Sequence, residues 1–489
     1  MDRCIRRRLA RMLTGGALLA LAAGCAINPA TGRREFSLVS AEQEKQIGRE
    51  GFPATIAEYG QYDDARLSAY VDSIGQRLAK VSELPDLDWH FTVLDDPVVN
   101  AFAMPGGYIY VTRGILAYLN SEAQLAGVLG HEIGHVTARH SARQITQQQL
   151  AGLGLGLASV FSSSFRRYSG AAEQALGLLM LKYGRDDETQ ADALGIRYAT
   201  AAGWDPRQIP GTYETLGRLA DKGGGRLPFY LSTHPDPGDR QQRTAQLAAE
   251  AVAGRKDLRV RAHEYLGHVR GVVFGGDPRA GYFEGARFYH PQMGFELTFP
   301  SGWTTANSHS AVAAQQPQQR AALQLTLAPN AGALSPADYV SGLARDGRVA
   351  SATGARESIG GWPAWVGRVA LPAQDGATPV VLDAAWVRQA PDRLFQFLGR
   401  SSVVGDADEA AILAAVRSLR PLDAGRASAV PDRVRVLSAP AAGTLRSLLP
   451  RLQPNALDVL DLAILNGVDS TTAIASGEWL KLVEPGRRR

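Results

Sequence analysis

The stretch GVLGHEIGHVTARH, Gly127 to His140, decides how the chain is read. It packs three of the nine histidines into ten residues and places Glu132 directly after the first of them. Around it Leu125, Val128, Leu129, Ile133 and Val136 recur at helical spacing and predict a mostly buried helix. Ser121 and Gln124 stand at capping-box spacing at its start. Residues four apart on a helix lie about 40° from one another, so His131 and His135 share a face and can hold one ion together. Glu132 projects beside them. Unpaired histidines and a glutamate would be costly on a buried helix, and metal ligation removes that cost.

A His-Glu-x-x-His helix has a mechanism in its spacing. The imidazoles hold zinc, an open position holds water whose pKa falls to about 7, and the carboxylate accepts its proton. One zinc ion per subunit is therefore expected, with a third protein ligand. The only cysteines are Cys4 and Cys25, so that ligand must be His, Asp or Glu. His140, nine residues past His131, falls about 180° round a continuous helix and is expected in a structural hydrogen bond instead. The stretch RDDETQADALG (185–195) offers more. A helix is predicted there from Asp187 to Ala202, stopped by Gly203 and Pro206, with Glu188 and Asp192 four apart on one face. Glu188 can complete the zinc, and Asp192 can hydrogen-bond a ligating imidazole. The chain carries its own control in HEYLGH (263–268), where the histidines are five apart and about 140° from each other, as surface decoration.

Working outward, the 489 residues predict more than one domain, and 45% hydrophobic with 20% charged residues is a globular composition. The net charge is only +4, and no basic stripe with interleaved aromatics supports nucleic-acid binding. Residues 1–25 form a leader: MDRCIRRRLARML is basic and TGGALLALAAGC is an apolar run too short to span a bilayer. Its ending resembles a bacterial lipobox, in which Cys25 is lipidated and becomes the first mature residue; a simple cleaved signal is the alternative. Ala26 is not the aspartate that retains such lipoproteins at an inner membrane. The resemblance therefore implies the inner leaflet of the outer membrane, on the periplasmic side.

Residues 26–45 read as a polar, turn-rich tether. Residues 46–255 hold the metal motifs, with helical spacing at Leu67, Val71, Ile74 and Leu78 and strands from Trp89 to Thr112. The run LAGLGLGLASVF (150–161) covers only about 18 Å as a helix, so a buried helix pair or an apolar cover is expected rather than a span. Residues 256–284 read as a linker. Residues 285–422 show short strand candidates closed by the helix DADEAAILAAVRSLRPL, a second domain of α+β type with an antiparallel sheet. Residues 430–485 read as a strand, two helical pieces and a strand.

HEIGHVTARH followed by ETQAD some fifty residues later resembles the minigluzincins of peptidase family M48. NPATGRREFSLVS, NAFAMPGGYIYVTRG and STHPDPGDR are similar to its periplasmic BepA-like branch, over about residues 28–250. The core is also similar to the HtpX and CAAX-prenyl endopeptidases. The resemblance implies an α+β fold, mainly helical with a small sheet in the zinc-peptidase domain. It implies zinc on His131, His135 and Glu188, with Glu132 catalytic and Asp192 in a catalytic role often described as proton donor. Our reading of Asp192 is an orienting role, since an aspartate that close to zinc stays ionised.

Three further expectations follow. GYIYVT (107–112) can serve as an edge strand onto which an extended substrate adds, with an internal strand as the alternative. His234, in a Gly/Pro-framed loop, can reach the zinc's open position as a latch. The C-terminal βααβ unit resembles a LysM module in outline, which implies peptidoglycan as a partner, although AAGT stands where such modules begin with glycine-aspartate. The function expected is a zinc metalloendopeptidase, tethered by lipid at Cys25, cutting misfolded or unassembled envelope proteins. The alternative is an envelope assembly factor or chaperone with a largely latent protease site, acting with assembly machinery.

Overall fold

The computed structural model describes residues 25–154, 183–222, 229–234, 237–329, 331–373, 379–401 and 405–487. The leader up to residue 24 and the Leu-Gly run beyond Gly154 lie outside the described residues. Among the described residues no helix is long and apolar enough to cross a membrane.

The N-terminal segment is not the free tether expected over 26–45. Strand β1 (Cys25–Ile27) pairs antiparallel with β2 (Arg34–Phe36). Between them Asn28, 1% exposed, donates from its side chain to Ala138 O at 3.0 Å. Ala30 N donates to Thr137 O at 3.3 Å. Both acceptors lie at the C-terminal end of the histidine helix, whose last carbonyls lack partners within the helix. The polar composition thus marks a helix cap. Residue 41 already begins α1 (Ala41–Tyr59), closed by a capping box between Ser40 and Gln43.

Helix α2 (Ala65–Ala79) buries Leu67, Val71, Ile74 and Leu78, as its spacing predicts. A three-stranded sheet follows, from β3 (His90–Leu94), β4 (Ala101–Met104) and β5 (Tyr108–Thr112), in the order β3-β5-β4. The expectation of GYIYVT as an edge strand is therefore corrected: β5 is central, parallel to β3 and antiparallel to β4. Gly106 and Gly107, at φ +84° and +94°, turn β4 back onto β5. A Cβ on Gly106 would stand 2.6 Å from Lys45 Cα, so the turn has no room for one. Alternation along a strand reports which faces are covered, not which side lacks a neighbour.

Helices α3 (Arg113–Tyr118) and α4 (Glu122–Thr137) lead into the histidine motif. Ser121 accepts from Gln124 N at 3.1 Å, while the Gln124 side chain accepts from Asn120 N, one residue short of a reciprocal box. Helices α5 (His140–Gly154), α6 (Arg185–Ala201), α7 (Ile209–Lys222), α8 (Phe229–Thr233), α9 (Pro237–Ala251) and α10 (Ala262–Val269) complete this part. Helix α4 is buried along nearly its whole length and crosses α6 at close range. A Cβ on Gly195 would lie 2.8 Å from His131 N, and one on Gly130 would lie 3.0 Å from Gly195 O.

The stretch 256–284 is not a linker, because α10 buries Tyr265, Leu266 and Val269 in the same core as α2 and α4. Its two HEYLGH histidines go to separate aromatic partners, His263 stacking on Trp479 at 4.7 Å and His268 on Tyr70 at 3.7 Å. Beyond it β6 (Tyr282–Glu284), β7 (Arg287–His290) and β8 (Phe295–Thr298) form a four-stranded sheet with β16 (Arg420–Pro421). A seven-stranded antiparallel sheet comprises β9 (Thr304–Asn307), β10 (Ala311–Gln315), β11 (Ala321–Leu327), β12 (Ser351–Ile359), β13 (Trp362–Ala370), β14 (Val381–Ala390) and β15 (Arg393–Ser401). Along β14, Ala385 and Val387 enter the core that holds Ile412 of α12 (Ala407–Arg417). Ala384 and Trp386 enter the core that holds Tyr339 of α11 (Pro336–Arg345), so both faces of the sheet are covered.

The tail runs β17 (Arg433–Ser438), β18 (Gly443–Thr444), α13 (Leu445–Leu448), α14 (Val459–Leu465), β19 (Ala473–Ile474) and β20 (Trp479–Glu484), which is the expected strand–helix–helix–strand order with two short strands, β18 and β19, added inside it. Strand β17 pairs with β20, and β18 with β19. The unit is bolted to the peptidase region. Lys481, fully buried, donates from Nζ to Ala117 O and Leu119 O at 2.6 Å each. Arg218 of α7 donates to Val468 O at 2.8 Å.

The α4–α6 crossing makes a direct prediction. Gly195→Ala forces the two backbones apart and is expected to destabilise by about 1–3 kcal/mol, read as a lowered Tm together with weaker metal binding. Gly217→Ala on α7, whose Cβ would meet nothing within 4 Å, is the matched control and should leave metal binding unchanged while raising Tm slightly, since alanine favours a helix interior over glycine.

Candidate metal centre

The crossing brings two helix faces together. Helix α4 supplies His131, Glu132 and His135, and one turn of α6 supplies Glu188 and Asp192, all buried. His234, the residue after α8, closes the group from a third direction. His131, His135, Glu188 and His234 each offer one ligand atom, all within 4.8 Å of one another. The fold brings together the residues that the sequence singled out, with Glu132 and Asp192 beside the four donors.

The donor set can be tested against a metal. His131 Nε2 lies 2.9 Å from His135 Nε2, 3.4 Å from His234 Nδ1 and 3.6 Å from a Glu188 oxygen. Glu188 Oε1 lies 3.5 Å from His135 Nε2 and 2.9 Å from His234 Nδ1. Four donors on a tetrahedral zinc, with bonds of about 2.0–2.1 Å, stand about 3.3–3.4 Å apart. The observed spacings bracket that value, and three nitrogens with one carboxylate suit zinc. Glu132 adds a second sign: among the described residues both of its oxygens are buried without a hydrogen-bond partner, and its nearest imidazole nitrogen is His234 Nε2 at 3.9 Å. Native structures rarely leave a buried carboxylate so bare unless the site has work for it.

Burial, then the neighbouring imidazoles, push His135 well below the usual histidine range, so its ring is neutral, as a ligand must be. Burial raises Glu132, and His234 with His131 oppose it without reversing it. Burial would raise Asp192 too, but Arg240 and the bond to His131 hold it far below the usual carboxylate range, fully ionised. Its Oδ1 lies 3.0 Å from His131 Nδ1. Burial lowers His234, Glu188 and Glu132 raise it, and the net direction is upward. A cation held at His234 would take the place of the proton that the carboxylates favour.

One buried residue at the site was not singled out from sequence. Arg240 on α9 is 0% exposed. Its Nη1 lies 2.6 Å from Glu188 Oε2, its Nη2 2.6 Å from Asp192 Oδ1 and its Nε 3.0 Å from Asp192 Oδ2. Tyr213 of α7 lies under the guanidinium at 4.4 Å and donates to Asp192 at 2.7 Å. A signal existed in the charges. Three buried carboxylates, Glu132, Glu188 and Asp192, exceed one dication by a unit, so a cationic side chain had to join them.

His140 also differs from its sequence account. Helix α4 does not continue to it: Ala138 caps the helix, Arg139 takes φ +54°, and His140 starts α5. The expected destination holds all the same, since His140 Nδ1 lies 2.9 Å from His135 Nδ1 and its Nε2 lies 3.0 Å from Gln190.

Comparison with known proteins gives the family. Residues 65–248 match the sequence profile of Peptidase family M48. The mitochondrial metalloendopeptidase OMA1 of Schizosaccharomyces pombe is 32% identical over 240 residues, 47% of this chain and 68% of that protein. OMA1 of Arabidopsis thaliana is 38% identical over 168 residues, 34% of this chain and 33% of that protein. The Beta-barrel assembly-enhancing protease of Escherichia coli K12 is 29% identical over 272 residues, 53% of this chain and 55% of that protein. The chain thus spans between 33% and 68% of the length of these relatives.

Arg240→Met leaves Glu188 and Asp192 without their buried counter-charge and is expected to cost about 3–5 kcal/mol, read as a fall in Tm. Chelation of wild-type protein should lower Tm and added zinc restore it, by about 2.7 kcal/mol at a hundredfold excess over Kd. Calorimetry with and without EDTA checks both.

Proposed function

The chain belongs to peptidase family M48 as a metalloprotease hydrolase, and on that premise we propose a zinc-dependent metalloendopeptidase with a self-blocked metal centre. The observation that carries it is the four-donor group of His131, His135, Glu188 and His234 beside a bare, buried Glu132. Zinc bound there supplies a Lewis acid for the scissile carbonyl and lowers the pKa of water to about 7. His131 and His135 hold it through Nε2 and Glu188 through a carboxylate oxygen. Glu132 takes the proton of the attacking water and passes it to the leaving amine. Asp192 accepts the Nδ1–H of His131 and fixes that ring; its ionisation favours this role over proton donation. Arg240 and Tyr213 keep Asp192 in place.

His234 supports latency. A catalytic zinc has three protein ligands and one exchangeable position, and His234 stands as the fourth protein donor. Helix α8, which directly precedes it, also lies at the sheet: Tyr230 N donates to Val99 O at 3.3 Å, two residues ahead of β4. Since β4 is an edge strand in the order β3-β5-β4, it is the place for an extended substrate to add, once α8 and His234 withdraw.

For the substrate we propose misfolded or unassembled envelope proteins, met on the periplasmic side of the outer membrane by a chain acylated at Cys25. The relative named as a β-barrel assembly-enhancing protease supports that setting. The closed donor set also favours a second reading, an assembly factor whose protease site is mostly silent. Glycan binding by the C-terminal unit has less support, since Gly467 in its helix–strand loop packs at Asn120 and Arg218 holds Val468.

Glu132→Gln is expected to cut casein hydrolysis by about 10²–10⁴-fold with zinc still bound. Full rescue of envelope defects by that variant in cells selects the assembly-factor reading. His234→Ala is expected to raise casein hydrolysis several-fold, and an unchanged rate removes the latch.

A further inference from the structure

We propose that His140 is a positioning residue of the metal centre, accepting the Nδ1–H of His135 and thereby fixing His135 in the tautomer that presents Nε2 to the metal. This rests on the metal-binding reading above and adds to it a residue and a direction for each hydrogen.

The geometry sets that direction. His135 Nε2 faces the donor group, 2.9 Å from His131 Nε2 and 3.5 Å from Glu188 Oε1. Its Nδ1 points the other way and lies 2.9 Å from His140 Nδ1. Two imidazole nitrogens at that distance share one hydrogen, so one ring donates and the other accepts. The far nitrogen of His140 decides which. His140 Nε2 lies 3.0 Å from Gln190 Oε1 and 3.6 Å from Asp187 Oδ1, both acceptors, so it carries the hydrogen and donates. A neutral His140 then has a bare Nδ1 and accepts. The hydrogen between the rings belongs to His135, whose Nε2 is left bare for a metal. The opposite assignment would put a hydrogen on His135 Nε2, where it would point into the donor group.

The chain pays for this arrangement in backbone conformation. On a continuous helix a residue five beyond His135 would stand about 140° away and could not reach its ring. Arg139, a non-glycine residue at φ +54°, breaks the helix, and the break swings His140 back over His135 with ring centroids 4.9 Å apart. Such a conformation persists only where its surroundings hold it. Arg139 is held by Glu44 at 2.9 Å and by Val39 O at 2.8 Å. The carbonyls freed by the break are taken by Asn28 and Ala30. On the open side of His135, Tyr183 stacks at 3.9 Å and donates to or accepts from Ser141 at 3.0 Å, which keeps the ring from turning. The two ligating imidazoles therefore have different supports: a carboxylate, Asp192, behind His131 and a neutral imidazole behind His135. Partners of this kind typically change metal affinity by about 10–100-fold when removed.

The test uses the full chain with zinc and three variants. In His140→Asn the side-chain oxygen takes the place of Nδ1 and can still accept; His140→Leu keeps bulk but cannot. Gln190→Ala, at a half-buried position, leaves both histidines and removes only the group that sets the tautomer of His140. Zinc affinity is measured by chelator competition, and ring ¹⁵N shifts of histidine-labelled, zinc-loaded protein report which nitrogens carry hydrogen. The expected result is a hydrogen on His135 Nδ1 and on His140 Nε2 in the wild type. Zinc affinity should fall about 10–100-fold in His140→Leu, stay within several-fold of wild type in His140→Asn, and fall several-fold in Gln190→Ala with mixed tautomers at His140. Should His140→Leu fail to fold, the wild-type ¹⁵N assignment and Gln190→Ala decide alone. Wild-type zinc binding with His140→Leu unchanged, or a hydrogen on His140 Nδ1, overturns the relay and leaves the metal site standing. Wild-type protein that binds no zinc overturns both.

Discussion

Everything at the centre of this protein depends on two helices touching backbone to backbone. Gly130 and Gly195 allow α4 and α6 to meet where any side chain would hold them apart. That contact sets Glu188 and Asp192 opposite His131 and His135, and no loop could hold four buried polar groups to such spacing. Once the faces meet, the rest is constrained by charge. Buried carboxylates need counter-charge, and Arg240 comes from α9 to supply what a dication leaves over. The same crossing explains why a helix this polar on one side is buried throughout.

What the sequence disclosed was whatever helical geometry alone could settle. His131 and His135 share a face by spacing, Glu188 and Asp192 do likewise, and both pairs meet in the fold. The order of elements in the tail and the sheet-rich middle region were equally legible, because alternation and turn residues are local signals. Non-local facts were not. The β-branched and aromatic residues of β5 marked it as a strand but could not say that strands flank it on both sides. The polar residues from Asn28 onward looked like a tether because a helix-capping segment has the same composition as a loose one. Residues 262–269 carry too short an apolar pattern to announce that α10 belongs to the peptidase core. His140 reached its predicted destination by an unpredicted route, since nothing in the residue type of Arg139 advertises a left-handed backbone.

The middle and C-terminal regions differ in how they relate to the catalytic part. The middle region covers both faces of its own sheet and has its own cores. The tail, by contrast, shares Val434 and Val436 with the peptidase core and drives Lys481 into the carbonyls at the end of α3. Burial pushes that lysine's pKa well below its ordinary value, so two carbonyls close to the amine are what makes its position tolerable. Helix α7 carries both ends of this relation, Arg218 toward the tail and Tyr213 toward Asp192.

The cap at the end of α4 also sets a range of action. Asn28 is fixed to Ala138, and only Ala26 and Ile27 stand between it and Cys25, a span of three residue steps. Three residues of extended chain reach about 10 Å. An acyl group on Cys25 would therefore hold the enzyme like a stud rather than a leash. Its histidine helix would then ride at a nearly constant height over the lipid surface, and substrates would have to come to that height to be cut. Selection by altitude would then operate before any selection by sequence.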